Sequence, residues 1–343
     1  MLCSRTPCAT IVKMGGMALL SLSLLLAGCT RRSSSLSVGF WNVENLFDLE
    51  DDPAKQDDEF TPQGRKGVTR DVLDLKLKNL AHVLSLMDVD VLGLAEVENR
   101  RVVEMLNRKY RGRDYRIVHY ESPDVRGIDV ALLYDPGRFR LKESRAISVD
   151  LKDARPTRDI LYVLGETAGA DLHVFVNHWP SHWDGTEQTN PLRAIAARTL
   201  RREVNRILQN DPAADIIVLG DLNDQPDAAS VSAHLGATPV RDSVRVGGSA
   251  LFNLMGPFLN QPGKGTIKGE GIDLVYDQII VSPGLLDSAR LIIRQGSVRI
   301  VDSPELRQKG GPFEGYPFRF WAGDSLLGGY SDHLAVTVTL ERP

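Results

Sequence analysis

Short apolar runs recur along the whole chain and predict strands. Most are six or seven residues long and rich in β-branched side chains, which favours strands over helices. In "GGYSDHLAVTVTL" at residues 328–340, apolar and polar positions alternate after the polar triplet, as in a half-buried strand. The other runs lie at residues 36–41, 89–95, 128–134, 160–165, 172–178, 215–220 and 276–282.

A three- to four-residue apolar period predicts helices over residues 70–87, 101–110 and 190–209. In the last of these, Asn190 is the expected cap and Pro191 suits the first turn. We interpret its arginines as a solvated face; they are Arg193, Arg198, Arg201, Arg202 and Arg206. Helices and strands alternate early, but strands dominate from residue 116 to 178. This favours packed sheets with helices outside over a purely parallel doubly wound fold.

The first residues predict a signal peptide over residues 1–28. Arg5 and Lys13 give it a positive start, and the apolar run from Met17 to Ala27 is too short to span a bilayer comfortably. No Pro- or Ser-rich linker follows residue 36, so residues 36–343 are expected to form one globular domain.

The apolar run ends in "LLAGC", which resembles the lipobox of bacterial lipoproteins. The resemblance implies cleavage before Cys29, lipidation of that cysteine and a tether over residues 29–35. The tether would reach only about 20 Å, so the domain would stay near the membrane. An ordinary secretory signal with an incidental cysteine is the alternative. Cys3 and Cys8 would leave with the signal, so the fold is expected to form without disulfides.

Composition and charge weaken one class of function. The chain has 41 Lys and Arg against 45 Asp and Glu, a net charge of −4. Tight non-specific binding of nucleic acid usually needs a basic face, so it is disfavoured, although nucleic acid as a transient substrate is not. The acidic stretch at residues 48–69 is either a disordered insertion or an ordered rim loop beside the site.

Polar side chains follow many of the predicted strands. Each one alone reads as a turn residue or helix cap, but the whole series is hard to explain by turns. It consists of Asn42, Glu44, Glu96, Glu98, Asn177, His178, Asp221, Asn223, Asp224, Asp277, Asp332 and His333.

In this series the sequence resembles the endonuclease/exonuclease/phosphatase superfamily of Mg²⁺-dependent phosphoesterases. The motifs that carry the resemblance are "WNVENLF", "AEVEN", "RGIDVALLY", "NHWPS", "GDLND", "YDQIIVS" and "GYSDH", which span nearly the whole chain after the signal. The resemblance implies a four-layer α/β sandwich, in which two mixed β-sheets pack face to face with helices outside. The site would lie at one end of the paired sheets.

The resemblance also implies ligands for the metal. Glu96, Asn42 and Asp332 would hold Mg²⁺, with Mn²⁺ as an alternative, and Glu44 is a secondary candidate. Hard cations prefer carboxylate and amide oxygens. A zinc pair formed by His178 and His182 is disfavoured, because Pro180 intervenes and no cysteine or third histidine lies nearby. We expect His173, inside a strand, to be structural.

The catalytic groups follow from the same resemblance. Asp221 and Asn223 would hold the attacking water and the phosphoryl oxygen. His333 would contact the phosphate, with Asp277 orienting its imidazole. Either Asp221 or His333 could be the base. His178 would be the general acid. Arg126 is either a phosphate clamp or a surface arginine; these assignments rest on the motifs quoted above.

The expected function is metal-dependent hydrolysis of a phosphodiester, most plausibly by an exported nuclease or nuclease-like enzyme. Inositol phosphatases usually carry Cys-Asp-Arg where this chain has "YDQII", which disfavours phosphoinositides. The alternatives are a phospholipid or sphingomyelin phosphodiesterase, with Trp179, Trp183 and "FRFW" as candidate membrane contacts, and a non-catalytic envelope binding module. The lipid would anchor the protein in a bacterial envelope, facing the periplasm or the exterior. Nothing in the sequence points to an obligate protein partner.

Overall fold

The computed structural model describes residues 35–182 and 185–343. The predicted signal peptide, Cys29 and all of the tether except Ser35 therefore lie outside the described residues, as does Trp183. The first strand begins at Ser35, one residue before the predicted start of the domain. Among the described helices, none combines the length and the apolar character needed to cross a bilayer.

One sheet contains both ends of the described chain. Its strand β1 pairs in parallel with β2 and antiparallel with β18, and β4 joins β2 to β3. The strands are β1 (Ser35–Leu46), β2 (Val91–Val97), β3 (Arg116–His119), β4 (Asp129–Tyr134), β14 (Ile292–Ile293), β15 (Arg299–Ile300) and β18 (Val336–Glu341).

The second sheet runs in the order β5, β6, β7, β8, β13, β10, β9. The neighbours β7 and β8 are parallel, whereas β13 runs antiparallel to β8. The strands are β5 (Arg140–Ile147), β6 (Ile160–Thr167), β7 (Ala170–His178), β8 (Ile216–Asp221), β9 (Ala237–Thr238), β10 (Leu251–Asn253) and β13 (Asp277–Val281). Two small hairpins complete the described strands: β11 (Ile267–Gly269) with β12 (Ile272–Leu274), and β16 (Trp321–Ala322) with β17 (Ser325–Leu326).

The described chain has three α-helices, α1 (Arg70–Met87), α2 (Arg100–Lys109) and α3 (Thr186–Asn210), besides short 3₁₀ and π turns. The side chain of Thr69 caps α1 by accepting from the Val72 amide, and Asn99 caps α2 by accepting from the Val102 amide. These caps satisfy backbone donors that a helix start leaves free.

The apolar side chains form three layers of core, which makes the fold a four-layer α/β sandwich. The inner faces of the two sheets pack together through side chains such as Phe40, Leu132 and Val176. Helices α1 and α2 cover the outer face of the first sheet. Helix α3 covers the outer face of the second sheet, where Leu200 and Val204 are buried. The predicted fold class is confirmed.

Helix α3 corrects two details of the sequence interpretation. It begins at Thr186, so Pro191 lies inside it rather than in its first turn. Arg193 was predicted to be solvated, but its side chain is fully buried. The guanidinium donates to Asp224 at 2.8 Å and to the carbonyl of Pro180 at 3.1 Å. These remote partners hold a turn of helix that the local sequence does not predict.

The acidic stretch at residues 48–69 is ordered. The rings of Phe47 and Phe60 stack with centroids 4.1 Å apart, and Val68 is buried beside them. Lys55 Nζ donates to the carbonyls of Ser122 and Asp124. Of the two interpretations of this stretch, the structure therefore supports the rim loop.

Candidate active site

The strand register brings the predicted polar residues to one edge of both sheets. His178 ends β7 opposite Asp221, which ends β8, and Asp277 faces Asp221 from β13. Asp277 is the first residue of its strand, not one that follows it. It reaches the same edge because β13 is antiparallel to β8.

The first sheet contributes its part through two bulges. The β1–β2 register shifts between Asn42 and Leu46, and the β2–β4 register shifts between Ala95 and Val97. At these bulges Glu44, Asn45 and Glu96 have φ values of 53°, 54° and 61°. Non-glycine residues rarely adopt this left-handed conformation, and it is concentrated at functional sites. The bulges turn side chains toward the edge of the sheet.

Asn42 links the two sheets. Its Nδ2 donates to Glu96 Oε1 at 3.3 Å and to Asp221 Oδ2 at 3.0 Å. Its Oδ1 accepts from the Glu44 amide at 3.0 Å. The carboxamide thus lies between two carboxylates of different sheets and fixes their separation.

Both predicted histidines lie close to the same oxygen of Asp221. His178 Nε2 lies 3.6 Å and His333 Nε2 lies 3.7 Å from Asp221 Oδ2. His333 Nδ1 pairs with Asp277 Oδ2 at 2.7 Å. All four side chains are buried, so their charges interact strongly.

Burial and charge give these groups different protonation. Burial alone would lower the pKa of His333, but the negative charges of Asp277 and Asp221 outweigh it and raise the pKa well above its usual range. Burial lowers the pKa of His178 well below its usual range, and the positive charges of Arg158, Arg126 and His333 act in the same direction. Burial raises the pKa of Asp221 to about 6, although the charge of His333 opposes this. The arrangement favours a charged His333 beside a neutral His178.

Ser331 explains how the triplet Ser-Asp-His is held. Its Oγ donates to the carbonyl of Asn42 at 2.7 Å and accepts from the His333 amide at 3.1 Å. The indole of Trp41 donates to the His333 carbonyl at 2.9 Å. Residues 331–333 are therefore fixed to β1 just before β18 begins.

Asp332 lies in a charged group that the sequence interpretation largely missed. Arg319 reaches Asp332 Oδ2 at 3.1 Å and Glu44 Oε1 at 3.3 Å. Glu44 also accepts from the amides of Phe320 and Trp321 at 2.6 and 3.2 Å. Burial and the charge of Asp332 raise the pKa of Glu44 to about 7.

Lys76 is the second unpredicted cation of this group. It is buried, donates to the Tyr330 carbonyl at 3.0 Å and lies 4.7 Å from the centre of the Phe320 ring. Burial lowers its pKa to about 8, although the charge of Glu44 opposes this. A sequence signal exists, because Lys76 stands on the same helical face as Leu73, Leu77 and Leu80.

Arg126 lies at the open side of the site and is 43% exposed. Its Nη2 donates to Asn45 Oδ1 at 2.6 Å and lies 3.9 Å from Glu96 Oε2. Asn45 in turn donates its amide to Glu96 Oε2 at 2.9 Å. Of the two roles considered for Arg126, this position favours contact with a ligand.

Three remaining residues have structural partners. Asn223 donates its amide to Asp221 Oδ1 and its Nδ2 to the Trp179 carbonyl. His182 Nε2 lies 2.5 Å from the Asn223 carbonyl, so His178 and His182 face different partners and do not converge on one point. His173 pairs with the Tyr162 hydroxyl at 2.9 Å inside the sheet.

The donor set suits a hard divalent cation. Glu96 and Asp332 are carboxylates whose side chains remain 14% and 28% exposed, unlike the buried Asp221 and Asp277. Arg319 pairs with both Asp332 and Glu44, so a cation of the protein lies beside the proposed ligand Asp332. Carboxylate oxygens with access to water are the ligands that Mg²⁺ prefers.

Residues 37–342 match the Endonuclease/Exonuclease/phosphatase family. The chain belongs to this family. No curated protein sequence matches this chain. Family membership agrees with the resemblance seen in the motifs of the sequence.

Solved structures with the same fold include enzymes with different substrates. Truncated TDP2 from Caenorhabditis elegans has a TM-score of 0.54 at 18% identity, over 90% of this chain and 97% of that one. TDP2 from D. rerio, complexed with a single-strand DNA product, has a TM-score of 0.56 at 18% identity, over 90% of this chain and 100% of that one. A mannosyl-6-phosphatase from Bacteroides thetaiotaomicron has a TM-score of 0.56 at 17% identity, over 89% and 99%. At these identities the likeness concerns the fold.

Proposed function

We propose that the protein is a divalent-metal-dependent phosphodiester hydrolase, a nuclease or nuclease-like enzyme. The observation that carries the proposal is the meeting of Asn42, Glu96, His178, Asp221, Asp277 and His333 at one edge of both sheets. These residues come from five different strands and from the segment before β18. Metal-assisted phosphoester hydrolysis needs oxygen ligands for the cation and groups that bind the phosphate or transfer protons. The carboxylates, the amide and the two imidazoles of this cluster can supply them.

The metal ligands of the proposal are Glu96 and Asp332, with Asn42 beside them. Mg²⁺ is the expected ion and Mn²⁺ the alternative. When bound, the cation would neutralise charge on the phosphate oxygens. Asn42 uses its NH₂ group to hold Glu96 and Asp221, so it would act at least by fixing the position of Glu96.

We assign different roles to Asp221 and His333. His333 is paired with Asp277 through Nδ1 and presents Nε2 toward Asp221. As an imidazolium it would bind a phosphate oxygen, and it would have no free position to accept a proton. Asp221 is a carboxylate held by Asn42 and by the Asn223 amide, and it would accept the proton of the attacking water.

His178 and Arg126 would act on the other side of the phosphate. His178 Nε2 lies 3.9 Å from Glu96 and 3.6 Å from Asp221, within reach of a group bound between them. A neutral imidazole there can donate a hydrogen bond to the leaving oxygen, whereas the transfer of a proton expected of a general acid would first require His178 to be protonated, which its lowered pKa opposes. Arg126 is exposed at the rim and would bind a phosphate oxygen through its guanidinium.

Two solved structures of the same fold point to different substrate classes. A DNA product is bound to the D. rerio TDP2 neighbour, which supports a nucleic acid. The mannosyl-6-phosphatase neighbour shows that the same fold also serves a monoester. For the phospholipid alternative, Trp179 and Trp321 are buried and offer no membrane contact, whereas Leu326 and Leu327 on and after β17 are more than 40% exposed. A binding module without turnover remains the alternative of another class.

The location proposed from the sequence is a bacterial envelope membrane, with Cys29 lipidated and the domain facing the periplasm or the exterior. The support is the "LLAGC" motif alone. Expression of the full chain in a bacterial host, followed by membrane fractionation, tests it. The wild-type protein should sediment with membranes, and Cys29→Ser should not be lipidated. A protein that carries no lipid in either form would contradict the anchor.

Hydrolysis by a soluble protein beginning at Ser33 tests the function. The substrates would be DNA, RNA, bis-p-nitrophenyl phosphate, p-nitrophenyl phosphate and sphingomyelin, with Mg²⁺ or Mn²⁺ and with EDTA. We expect diester cleavage that EDTA abolishes and that His333→Ala lowers by at least about 100-fold. His82→Ala is the matched control, since this histidine is exposed on α1 and outside the site.

Glu96→Gln tests the metal ligand separately. It should abolish metal-dependent turnover while leaving thermal unfolding in excess EDTA nearly unchanged. Glu104→Gln, an exposed glutamate on α2, should leave activity at the wild-type level. Retained turnover in Glu96→Gln would remove Glu96 from its role, and absence of turnover on every substrate by the wild-type protein would favour the binding module.

A further inference from the structure

A second group of metal-binding side chains lies near the end of β3 and the start of β4. His119 pairs with Ala131 across these strands, and Asp129 stands two residues from Ala131 on β4. Alternate residues of a strand share a face, so His119 and Asp129 lie on the same side of the sheet. Glu121 follows two residues after His119. In the described part of the chain, the hydrogen bonds and ion pairs of these residues do not include Asn42, Glu96 or Asp332.

The three ligand atoms are close enough to share one ion. One ligand atom from each of His119, Glu121 and Asp129 lies within 4.8 Å of the other two. His119 Nε2 and Asp129 Oδ2 are 3.1 Å apart, and His119 Nδ1 and Glu121 Oε1 are 3.8 Å apart. Two ligands bound at about 2.1 Å to a tetrahedral ion are separated by about 3.4 Å. The spacing of His119 and Asp129 is near this value, and the exposed side chain of Glu121 would move toward Nε2 to join the same ion.

The imidazole of His119 supplies independent support. Its side chain is only 2% exposed, and among the described residues its Nε2 has no hydrogen-bond partner. Asp129 Oδ2 is close enough to Nε2 for a hydrogen bond. The N–H direction of the ring does not point at this oxygen, so no hydrogen bond forms. A buried nitrogen without a hydrogen bond is unfavourable. A cation bound in the plane of the ring would satisfy it.

The two carboxylates are prepared for a cation in different ways. Asp129 Oδ1 accepts from the Ser122 amide at 2.9 Å, which fixes the carboxylate and leaves Oδ2 for a ligand. Glu121 is 65% exposed and can adjust its position. Carboxylate oxygens of Glu121 and Asp129 lie within 4.8 Å of each other, so their negative charges repel. A divalent cation between them would relieve this repulsion.

We propose that His119, Asp129 and Glu121 bind one divalent transition-metal ion of the Zn²⁺ class, at a site separate from the proposed active site. One imidazole with two carboxylates is a donor set that Zn²⁺ accepts, with water in a remaining position. The ion would hold the base of the segment 120–128, whose Ser122 and Asp124 carbonyls already accept from Lys55. This segment carries Arg126, so the ion would stabilise a wall of the active site.

Zinc binding is measured in the Glu96→Gln background, which weakens competition from the proposed active site. Titration calorimetry of metal-stripped protein with Zn²⁺ should give one site. His119→Gln should weaken it by about 10- to 100-fold or abolish it, and Glu121→Gln should weaken it by about 10-fold. Glu104→Gln is the matched control for an exposed glutamate and should change nothing. Glu121→Gln keeps the test valid if the buried histidine variant does not fold.

Diffraction at the zinc absorption edge locates the ion. An anomalous peak about 2 Å from His119 Nε2 would support the site. A peak only near Glu96 or Asp332, no peak, or zinc affinity that is equal in all variants would overturn it. None of these outcomes depends on turnover. The zinc site can therefore be disproved without affecting the proposed hydrolase activity, and the hydrolase activity can be disproved without affecting the zinc site.

Discussion

The buried pair of His333 and Asp277 is the most constrained contact of the site. Asp277 is fully buried and accepts from His333 Nδ1 at 2.7 Å, while its own amide donates to Thr266. Asp277→Asn would keep the shape but would remove the charge that orients and protonates the imidazole. We expect kcat to fall by about 10²- to 10⁴-fold, as for other histidines that lose their carboxylate.

Steady-state kinetics of Asp277→Asn, with circular dichroism to verify folding, tests this expectation. Asp287→Asn is the matched control, because this aspartate is exposed and, among the described residues, its side chain accepts a hydrogen bond from the nearby Ala289 amide. Wild-type kcat in a folded Asp277→Asn protein would show that the pair is structural and not part of the reaction.

Asp215 makes a pH-dependent contribution to stability at a point remote from the site. Its side chain is fully buried before β8, and burial raises its pKa to about 7, only partly offset by the charge of Arg290. In the unfolded chain the pKa is about 3.9. The folded protein therefore binds the proton more tightly, and this contribution is present below about pH 4 and lost as the pH rises to about 7.

Asp215→Asn should remove this dependence. Between pH 5 and pH 8 we expect the wild-type free energy of unfolding to fall by about 2–3 kcal/mol more than that of Asp215→Asn. Urea denaturation at both pH values measures the difference. The exposed Asp227→Asn should follow the wild type, and identical pH profiles for wild type and Asp215→Asn would contradict the raised pKa.

At the scale of the element, helix α3 is fastened to the loops that carry the catalytic groups. Arg193 donates to Asp224 after β8, to the Pro180 carbonyl after β7 and to Thr189 within the helix. Asp224 Oδ2 also accepts from Ser230 at 2.6 Å. One buried arginine thus contacts both loops that directly follow the strands carrying His178 and Asp221.

Arg193→Met should destabilise the protein by about 3–5 kcal/mol, because it leaves Asp224 buried without its cation. Arg193→Met with Asp224→Asn should lose less than the sum of the two single changes, with a coupling of about 1–3 kcal/mol. Chemical denaturation of the four proteins measures this cycle. Arg198→Met is the control on the exposed face of the same helix. Additive single changes would show that the ion pair carries no stability.

The elements show what a sequence can and cannot predict. The apolar period of α1 is local, and the predicted bounds 70–87 are those observed. The predicted cap at Asn190 was wrong, because α3 begins at Thr186. The first part of α3 is linked through Arg193 to Asp224 and Pro180, which local sequence patterns do not reveal. Lys76 on α1 joins the site because the loop that carries Tyr330 folds back over it. Arg319 joins the site because its own loop folds back toward Glu44, which is distant in sequence. Strand ends could be predicted, but these loops could not.

At the scale of the whole molecule, the two sheets meet through one inner core, and the site spans both of them. Strand β2 carries Glu96 and belongs to the first sheet, whereas β7 carries His178 and belongs to the second. His178 Nε2 and Glu96 Oε1 are 3.9 Å apart at the shared edge of the sheets. Their separation therefore depends on how closely the inner faces of the sheets approach each other.

Gly93 sets this approach. A Cβ there would lie 3.1 Å from Phe40 in its own sheet and 3.1 Å from Val176 in the opposite sheet. Gly93→Val should therefore overpack the interface and destabilise the protein by about 1–3 kcal/mol. It should also lower kcat in the protein that still folds, because the sheets would separate where Glu96 and His178 meet. Denaturation and steady-state kinetics measure the two effects.

Val176→Ala provides the matched compensation for Gly93→Val. It removes two methyl groups that the new side chain would meet, at the cost of a cavity when it is made alone. The double variant should be more stable than the sum of the single changes predicts, by about 1 kcal/mol or more. It should also recover part of the lost kcat, which a change confined to one sheet would not do. Additive losses of stability together with unchanged kcat would mean that the spacing of the sheets does not control the site.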